Sequence, residues 1–239
     1  MVTERQEAAM CWSTEADLVA GSVVAGIGLV CLARVRRARD LPLAALPLLL
    51  GVHQLAEAAV WLGTEGRIGA GAALWARTVW VLIALPLLPA LVPVAVWCAL
   101  GPARPPGAEG PPVAGQRRRA GFAVLGVTVS VLLLAAVLAH PVTVGVRGHL
   151  LTYGTGVPYA PVLLAGYLLA TVGSLLTCGD RQLQLLGVLV GAAAGLCALL
   201  WRLAFVSAWC ALAALVSVLL LHWVGTAPAR SPNTAGGEQ

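Results

Sequence analysis

The sequence predicts an all-α fold: a polytopic integral membrane bundle of seven transmembrane helices, N-terminus outside and C-terminus inside. Three observations lead there. Of 239 residues, 59% are hydrophobic and only 10% charged, where a soluble domain carries about 25% charged residues. Seven apolar runs follow one another with mostly short connections. The arginines gather on alternate connections, the pattern expected of loops that face the cytoplasm.

A helix crossing about 30 Å of hydrocarbon needs about 20 residues at ~1.5 Å each. By that measure the spans are 16–33, 42–62, 73–100, 121–139, 160–178, 183–201 and 203–224. The first, DLVAGSVVAGIGLVCLA, is preceded by MVTERQEAA and followed at once by RVRRARD. A cleaved signal peptide carries its positive charges before the apolar run, so this segment reads as a retained anchor behind an extracytoplasmic stretch, 1–15. Thr14 and Asp17 have the spacing of a capping box for it. Seven spans place 34–41, 101–120, 179–182 and 225–239 inside, and these carry ten of the fifteen arginines.

The second span holds the run GVHQLAEAAVW. The third contains Pro86, Pro89 and Pro93, each lacking a backbone donor, so it is expected to kink or unwind where protein or water can satisfy the freed carbonyls. The loop 101–120 is rich in Pro and Gly and ends in Arg117, Arg118 and Arg119; it reads as a flexible cytoplasmic linker whose arginines set topology. In the outer connection 140–159, Val142, Val144 and Val146 alternate before an Arg147-Gly148 turn, and Leu151 and Tyr153 alternate after it, the pattern of a short hairpin. The sixth span carries Gly187, Gly191 and Gly195 at four-residue spacing, a stripe that lets a neighbouring backbone approach. The tail 225–239 has the composition of a disordered segment. Tryptophans 12, 61, 75, 201 and 209 fall near the outer boundary and 97 and 223 near the inner one, as an interfacial belt would.

Composition excludes some chemistry outright. All fifteen basic residues are arginine, so retinal Schiff-base, PLP-lysine and P-loop chemistry, each needing a lysine amine, are ruled out. Fifteen basic against ten acidic residues give +5. The positive-inside pattern accounts for that excess without a nucleic-acid partner.

An ionisable group at bilayer depth costs at least ~2.5 kcal/mol on insertion scales, so each one inside a span asks for a partner or a purpose. His53, Glu57 and Trp61 are four residues apart on one helix face. Counted from the outer end, Glu57 lies about 7 Å deep and His53 about 13 Å, while Arg77 on the next span lies at about 6 Å. One reading pairs Glu57 with Arg77 as a structural ion pair and hydrogen-bonds His53 to a carbonyl or hydroxyl. The other makes His53, Gln54, Glu57, Trp61 and Arg77 an outward-facing pocket, completed by Arg202, Ser207 and Trp209, which the topology sends to the same leaflet. His53 and Glu57 also have helix-compatible ligand spacing; a zinc site would need a further ligand, for which His140 is a candidate. Neither H-E-x-x-H nor paired C-x-x-C occurs, and C-x-x-C-H is absent. The default expectation is therefore no cofactor. The six cysteines show no paired spacing and read mostly as small apolar fillers.

MCWSTEADLVAG (10–21), CLARVRRARDLPLAALPLLLGVHQLAEAAVW (31–61), GYLLATVG (166–173) and ALLWRLAFVSAWCALAAL (198–215) resemble an uncharacterised family of bacterial multi-spanning membrane proteins, a domain of unknown function. The resemblance implies a multi-spanning fold, a start at either Met1 or Met10, and an HQ-x-x-E motif at His53, Gln54 and Glu57. It also implies W-R and S-x-W motifs at Trp201, Arg202, Ser207 and Trp209. It implies no activity. A weaker likeness is to seven-helix zinc hydrolases of the alkaline ceramidase type, although the paired H-x-x-x-H of those enzymes is missing.

Three functions stay open. The first is binding, sensing or transport of a small ligand or lipid through the outward pocket. The second is a metal-dependent membrane hydrolase, with His53 as ligand, Glu57 as ligand or base and Ser207 polarising the substrate. The third is a structural or assembly subunit, with self-association among its interactions. The Ala, Gly, Arg and Pro bias suggests a GC-rich bacterial source, and with it the bacterial cytoplasmic membrane.

Overall fold

The computed structural model describes residues 14–101, 114–139, 143–147, 150–154, 159–200 and 205–226. Seven helical segments and one hairpin are seen among them. They are α1 (Thr14–Ala33), α2 (Leu41–Thr64), α3 (Ala70–Ala99), α4 (Ala114–Ala139), β1 (Thr143–Arg147), β2 (Leu150–Gly154), α5 (Ala160–Leu176), α6 (Arg181–Leu200) and α7 (Phe205–Thr226). The segments centred on α1 to α4 are long and apolar enough to cross a membrane. Large aliphatic side chains cover their outside, among them Val19, Val23 and Leu29 of α1 and Val124, Val131 and Leu138 of α4. An apolar exterior of this extent is stable where the surrounding medium is itself apolar.

Helices α1 and α2 form the most intimate pair. A methyl at Gly28 would fall on the backbone of Leu48, one at Gly51 on the backbone of Ala25, and one at Gly21 would lie 2.9 Å from Leu55 Cγ. All three contacts share one antiparallel register, with close approach alternating between the two chains. Without a hydrophobic drive between helices in lipid, such small-residue seams supply the van der Waals contact that holds them. The Gly187, Gly191 and Gly195 stripe is a lesser seam. Gly187 backs onto Leu175 and Leu176 of α5, Gly191 meets Val172, and Gly195 has no neighbour within 4 Å among the described residues.

The apolar core sits at one end of the bundle. Cys31, Leu43, Ala95, Val96, Leu175, Leu183, Leu220 and Trp223 pack there from six helices. Trp223 is thus a core residue at 2% exposure rather than a belt residue, whereas Trp75, 72% exposed, has the exposure a belt residue needs. At the same end a tight turn joins α5 to α6. Gly179 takes φ +87°, and Asp180 Oδ1 accepts from the backbone N–H groups of Gln182 and Leu183 at 3.0 and 3.1 Å, which satisfies two otherwise orphaned donors of α6.

The linker expectation is corrected at its C-terminal part. Helix α4 begins at Ala114, before the apolar run, because Gln and Arg are good helix formers and extend the helix beyond its apolar part. Two of the three arginines are also clamps. Arg119 donates to the Leu100 carbonyl at the end of α3 and to Gly115 O, and Arg118 donates to the Thr177 carbonyl at the end of α5. Cations at helix C-termini satisfy terminal carbonyls and complement the helix dipole.

The prolines of α3 act as their chemistry predicts. Ile83–Leu87, around Pro86, is a π segment in which Leu88 N–H reaches Ile83 O. The carbonyl of Ala84 has no α-helical partner left, and its π partner would be Pro89, which has no N–H. Tyr167 Oη of α5 donates to it at 3.1 Å. Likewise Pro93 cannot serve the carbonyl of Pro89, and that oxygen lies where a methyl at Gly126 of α4 would stand. Helix α5 carries its own π segment, Leu169–Gly173, where hydroxyls of Thr171, Ser174 and Thr177 donate back to carbonyls of Tyr167, Thr171 and Gly173 at 2.8 Å each. The expected hairpin is present, with Val144 facing Tyr153 and Arg147 facing Leu150, so that Arg147 belongs to the strand rather than the turn.

Candidate functional site

The polar residues of α2 lie toward the end of the bundle opposite the apolar core, and their position follows from two glycines. Gly51 and its neighbours fix α2 against α1, and Gly63 fixes it against α3, where the Ala73 Cβ lies 2.6 Å from the position a methyl at Gly63 would take. Ten residues back along α2 and ten forward along α3, residue 53 comes level with residue 83, the first of the π segment, at ~1.5 Å per residue on both helices. Helix α2 touches that segment. A π turn next to a polar cluster is a frequent functional arrangement.

His53 is 7% exposed and lies against Trp80 of α3, ring centroids 4.9 Å apart and tilted by 35°. Trp80 Nε1 donates to Glu57 Oε2 at 3.4 Å. One indole therefore packs on the histidine with its face region and reaches the carboxylate with its N–H. The sequence reading omitted Trp80. Its signal was available, since it lies ten residues inside α3, away from the boundary positions where tryptophans otherwise collect.

Arg77 is not joined to Glu57. The Gly63–Ala73 register puts Glu57 level with residue 79, two positions beyond Arg77, and Trp80 takes the carboxylate instead. The Arg77 Nε is buried and has no hydrogen-bond partner among the described residues. Asp17, fully buried on α1, is within electrostatic reach of Glu57. Two carboxylates thus approach one another here. At the adjacent helix end Thr14 Oγ1 donates to Glu65 Oε1 at 3.4 Å, and Glu65 pairs with Arg67 at 3.1 Å in the exposed turn.

Gln54 is the least satisfied side chain of the group. It is 2% exposed, and neither its Nε2 nor its Oε1 has a hydrogen-bond partner among the described residues; the same holds for His53 Nε2. A buried polar group left unpaired costs about 1–3 kcal/mol, so three such atoms within two consecutive residues are an energetic anomaly that calls for an explanation.

Trp61 stands one turn beyond Glu57 and is partly buried. Arg202 and His140 lie outside the described residues; Ser207 and Trp209 belong to the first turns of α7, where only the backbone is described. Among the described residues no three His, Cys, Asp or Glu side chains stand close enough to hold a metal ion. The zinc set His53, Glu57 and His140 depends on a residue outside them. Two described grooves lie elsewhere, at the other end of α3. One runs between α3 and α4 past Trp97, and the other lies beside Arg39 and Gln116.

A model of a family of unknown function matches residues 10–235, nearly the whole chain. No curated protein and no solved structure matches it.

Proposed function

The chain belongs to the family of unknown function DUF6629, and from its side chains we propose that it is a seven-span membrane protein that binds a small polar ligand at the α2–α3 seam. Its N-terminus is outside, its C-terminus inside, and its location is the bacterial cytoplasmic membrane. Four long apolar helices, an aliphatic exterior and arginines gathered at one end support this placement. The single observation that carries the binding reading is the unpaired amide of Gln54 beside the unpaired Nε2 of His53.

A ligand offering one donor and one acceptor would satisfy Gln54, with Glu57 accepting a further proton donor and Arg77 Nε donating to an acceptor. Trp80 and Trp61 supply the walls. An orphaned amide is retained at a cost to stability when it serves binding; an apolar side chain of the same shape would pack as well without the penalty.

The test is a thermal-shift screen of the protein in lipid nanodiscs against free amino acids, small amines and monosaccharides, with Gln54→Leu alongside. The reading expects at least one compound to raise the wild-type midpoint, no shift in Gln54→Leu, and a higher midpoint for the ligand-free variant. A Gln54→Leu protein that is less stable than the wild type, together with an unresponsive wild type, would mean that Gln54 is a structural residue.

A further inference from the structure

Outside that seam the structure holds a second set of features with no role in it. Val94 and Trp97 of α3 and Ala120, Ala123, Val124, Val127 and Thr128 of α4 line an apolar groove of about 360 Å³, at the lower end of the roughly 300–1,000 Å³ typical of ligand clefts. It exists because small residues hold the two helices close at one point and not beyond. Gly126 sits directly on the Pro89 carbonyl and the Pro93 ring, and toward the end of α3 the groove is lined from α4 by small residues, Ala120 and Ala123 among them. Trp97, 40% exposed, also lines the second cleft, with Arg39, Cys98, Gly101 and Gln116. Trp97 thus borders both, an apolar groove on one side and a cleft that contains Arg39 on the other.

The second cleft carries the informative detail. Arg39 Nε is buried and has no hydrogen-bond partner among the described residues. The neighbouring Arg119 is committed to the carbonyls of Leu100 and Gly115. An arginine that lines a cleft beside an apolar groove is complementary to a phosphate attached to a hydrocarbon chain, since guanidinium forms its strongest hydrogen bonds with anionic oxygens. Arg34, Arg36 and Arg117 are exposed at the same end and add a positive field that concentrates anionic headgroups.

We propose that this groove binds one anionic phospholipid of the inner leaflet, its phosphate on Arg39 and one acyl chain along Trp97 toward Thr128. The proposal rests on the reading that α3 and α4 cross the membrane, and it is independent of the polar seam.

Native mass spectrometry of the full chain, released from nanodiscs containing equal amounts of phosphatidylglycerol and phosphatidylcholine with the same acyl chains, tests it. Wild type is expected to retain one phosphatidylglycerol with a preference of about tenfold, equivalent to about 1.4 kcal/mol. Arg39→Gln abolishes the preference, and Ala123→Phe, which fills the groove and leaves every charge in place, abolishes retention of either lipid. Arg34→Gln, removing an equal charge outside the groove and the cleft, leaves the preference intact. Equal retention of both lipids by wild type, or an unaltered preference in Ala123→Phe, overturns the proposal. Inorganic phosphate that competes with phosphatidylglycerol at millimolar concentration would assign the site to a free anion and also overturn it. Extraction of the chain from membranes by carbonate without detergent would instead sink the membrane reading itself.

Discussion

The hydroxyl of Tyr167 donates to the carbonyl oxygen of Ala84, 83 residues earlier in the chain, at 3.1 Å. The bond joins α5 to the π segment of α3 at the carbonyl that Pro89 leaves without a helical donor. A backbone irregularity at membrane depth is tolerated only where other protein groups satisfy it, so the tyrosine is the condition on which the proline-rich segment keeps its shape.

Tyr167→Phe removes that donor and little else. The expected loss is about 1 kcal/mol, in the range of hydrogen bonds between membrane helices, read as a lower unfolding midpoint in detergent. An unchanged midpoint would show that Ala84 O has another donor.

The register of α2 on α3 makes a contrasting prediction for Glu57. A double-mutant cycle of Glu57→Gln with Trp80→Phe is expected to show coupling of about 0.5–1.5 kcal/mol, because the two are in contact. The corresponding cycle with Arg77→Gln is expected to be close to additive. Strong coupling to Arg77 and none to Trp80 would restore the ion pair that the depths of the two residues in the sequence suggested.

Why the sequence suggested Arg77 is instructive. Counting depth from the estimated ends of two spans put Glu57 and Arg77 level, but the Gly63–Ala73 contact puts Glu57 level with residue 79, and Trp80 is the side chain that reaches the carboxylate. Helix positions, the hairpin and the proline disruption were legible, because each is written in local composition. The partner of Glu57 was not, since it depends on which residue Gly63 meets across the turn. The same holds for Arg118 and Arg119. As positive charges they read as topology signals, and only the packed termini of α3 and α5 reveal the carbonyls they hold. His53, Gln54 and Glu57 were identifiable as polar residues in an apolar run; that Gln54 would be the unpaired one needed the structure.

The glycines of the α1–α2 seam separate packing from pattern. Gly28→Val and Gly51→Val are expected to cost more than about 3 kcal/mol each or to prevent folding, since both side chains would occupy the partner's backbone. Gly195→Ala, from the stripe that the sequence made conspicuous, is expected to be neutral or slightly stabilising, because no described residue lies within 4 Å of the new methyl and alanine is the better helix former. Expression and thermal midpoints of the three variants decide it. Comparable losses at all three positions would mean that Gly195 has a partner outside the described residues or on a second copy, and self-association would be measured next.

The remaining prediction concerns orientation. The arginines that precede α2, those that open α4 and the one that opens α6 belong to the end where the apolar core packs, while Asp17, Glu57 and Glu65 lie toward the other. Translocating a cluster such as Arg34, Arg36, Arg37 and Arg39 is disfavoured, so this end should stay in the cytoplasm. A fluorescent protein fused after Gln239 is expected to mature and fluoresce, and alkaline phosphatase at the same point to remain inactive. Cys98, partly exposed at the arginine-rich end, is expected to react with a permeant maleimide in intact cells and to resist an impermeant one. Active phosphatase together with labelling of Cys98 by the impermeant maleimide would invert the bundle. The seam at Gln54 would then open toward the cytoplasm, and its ligand would have to be sought among intracellular metabolites rather than solutes arriving from outside.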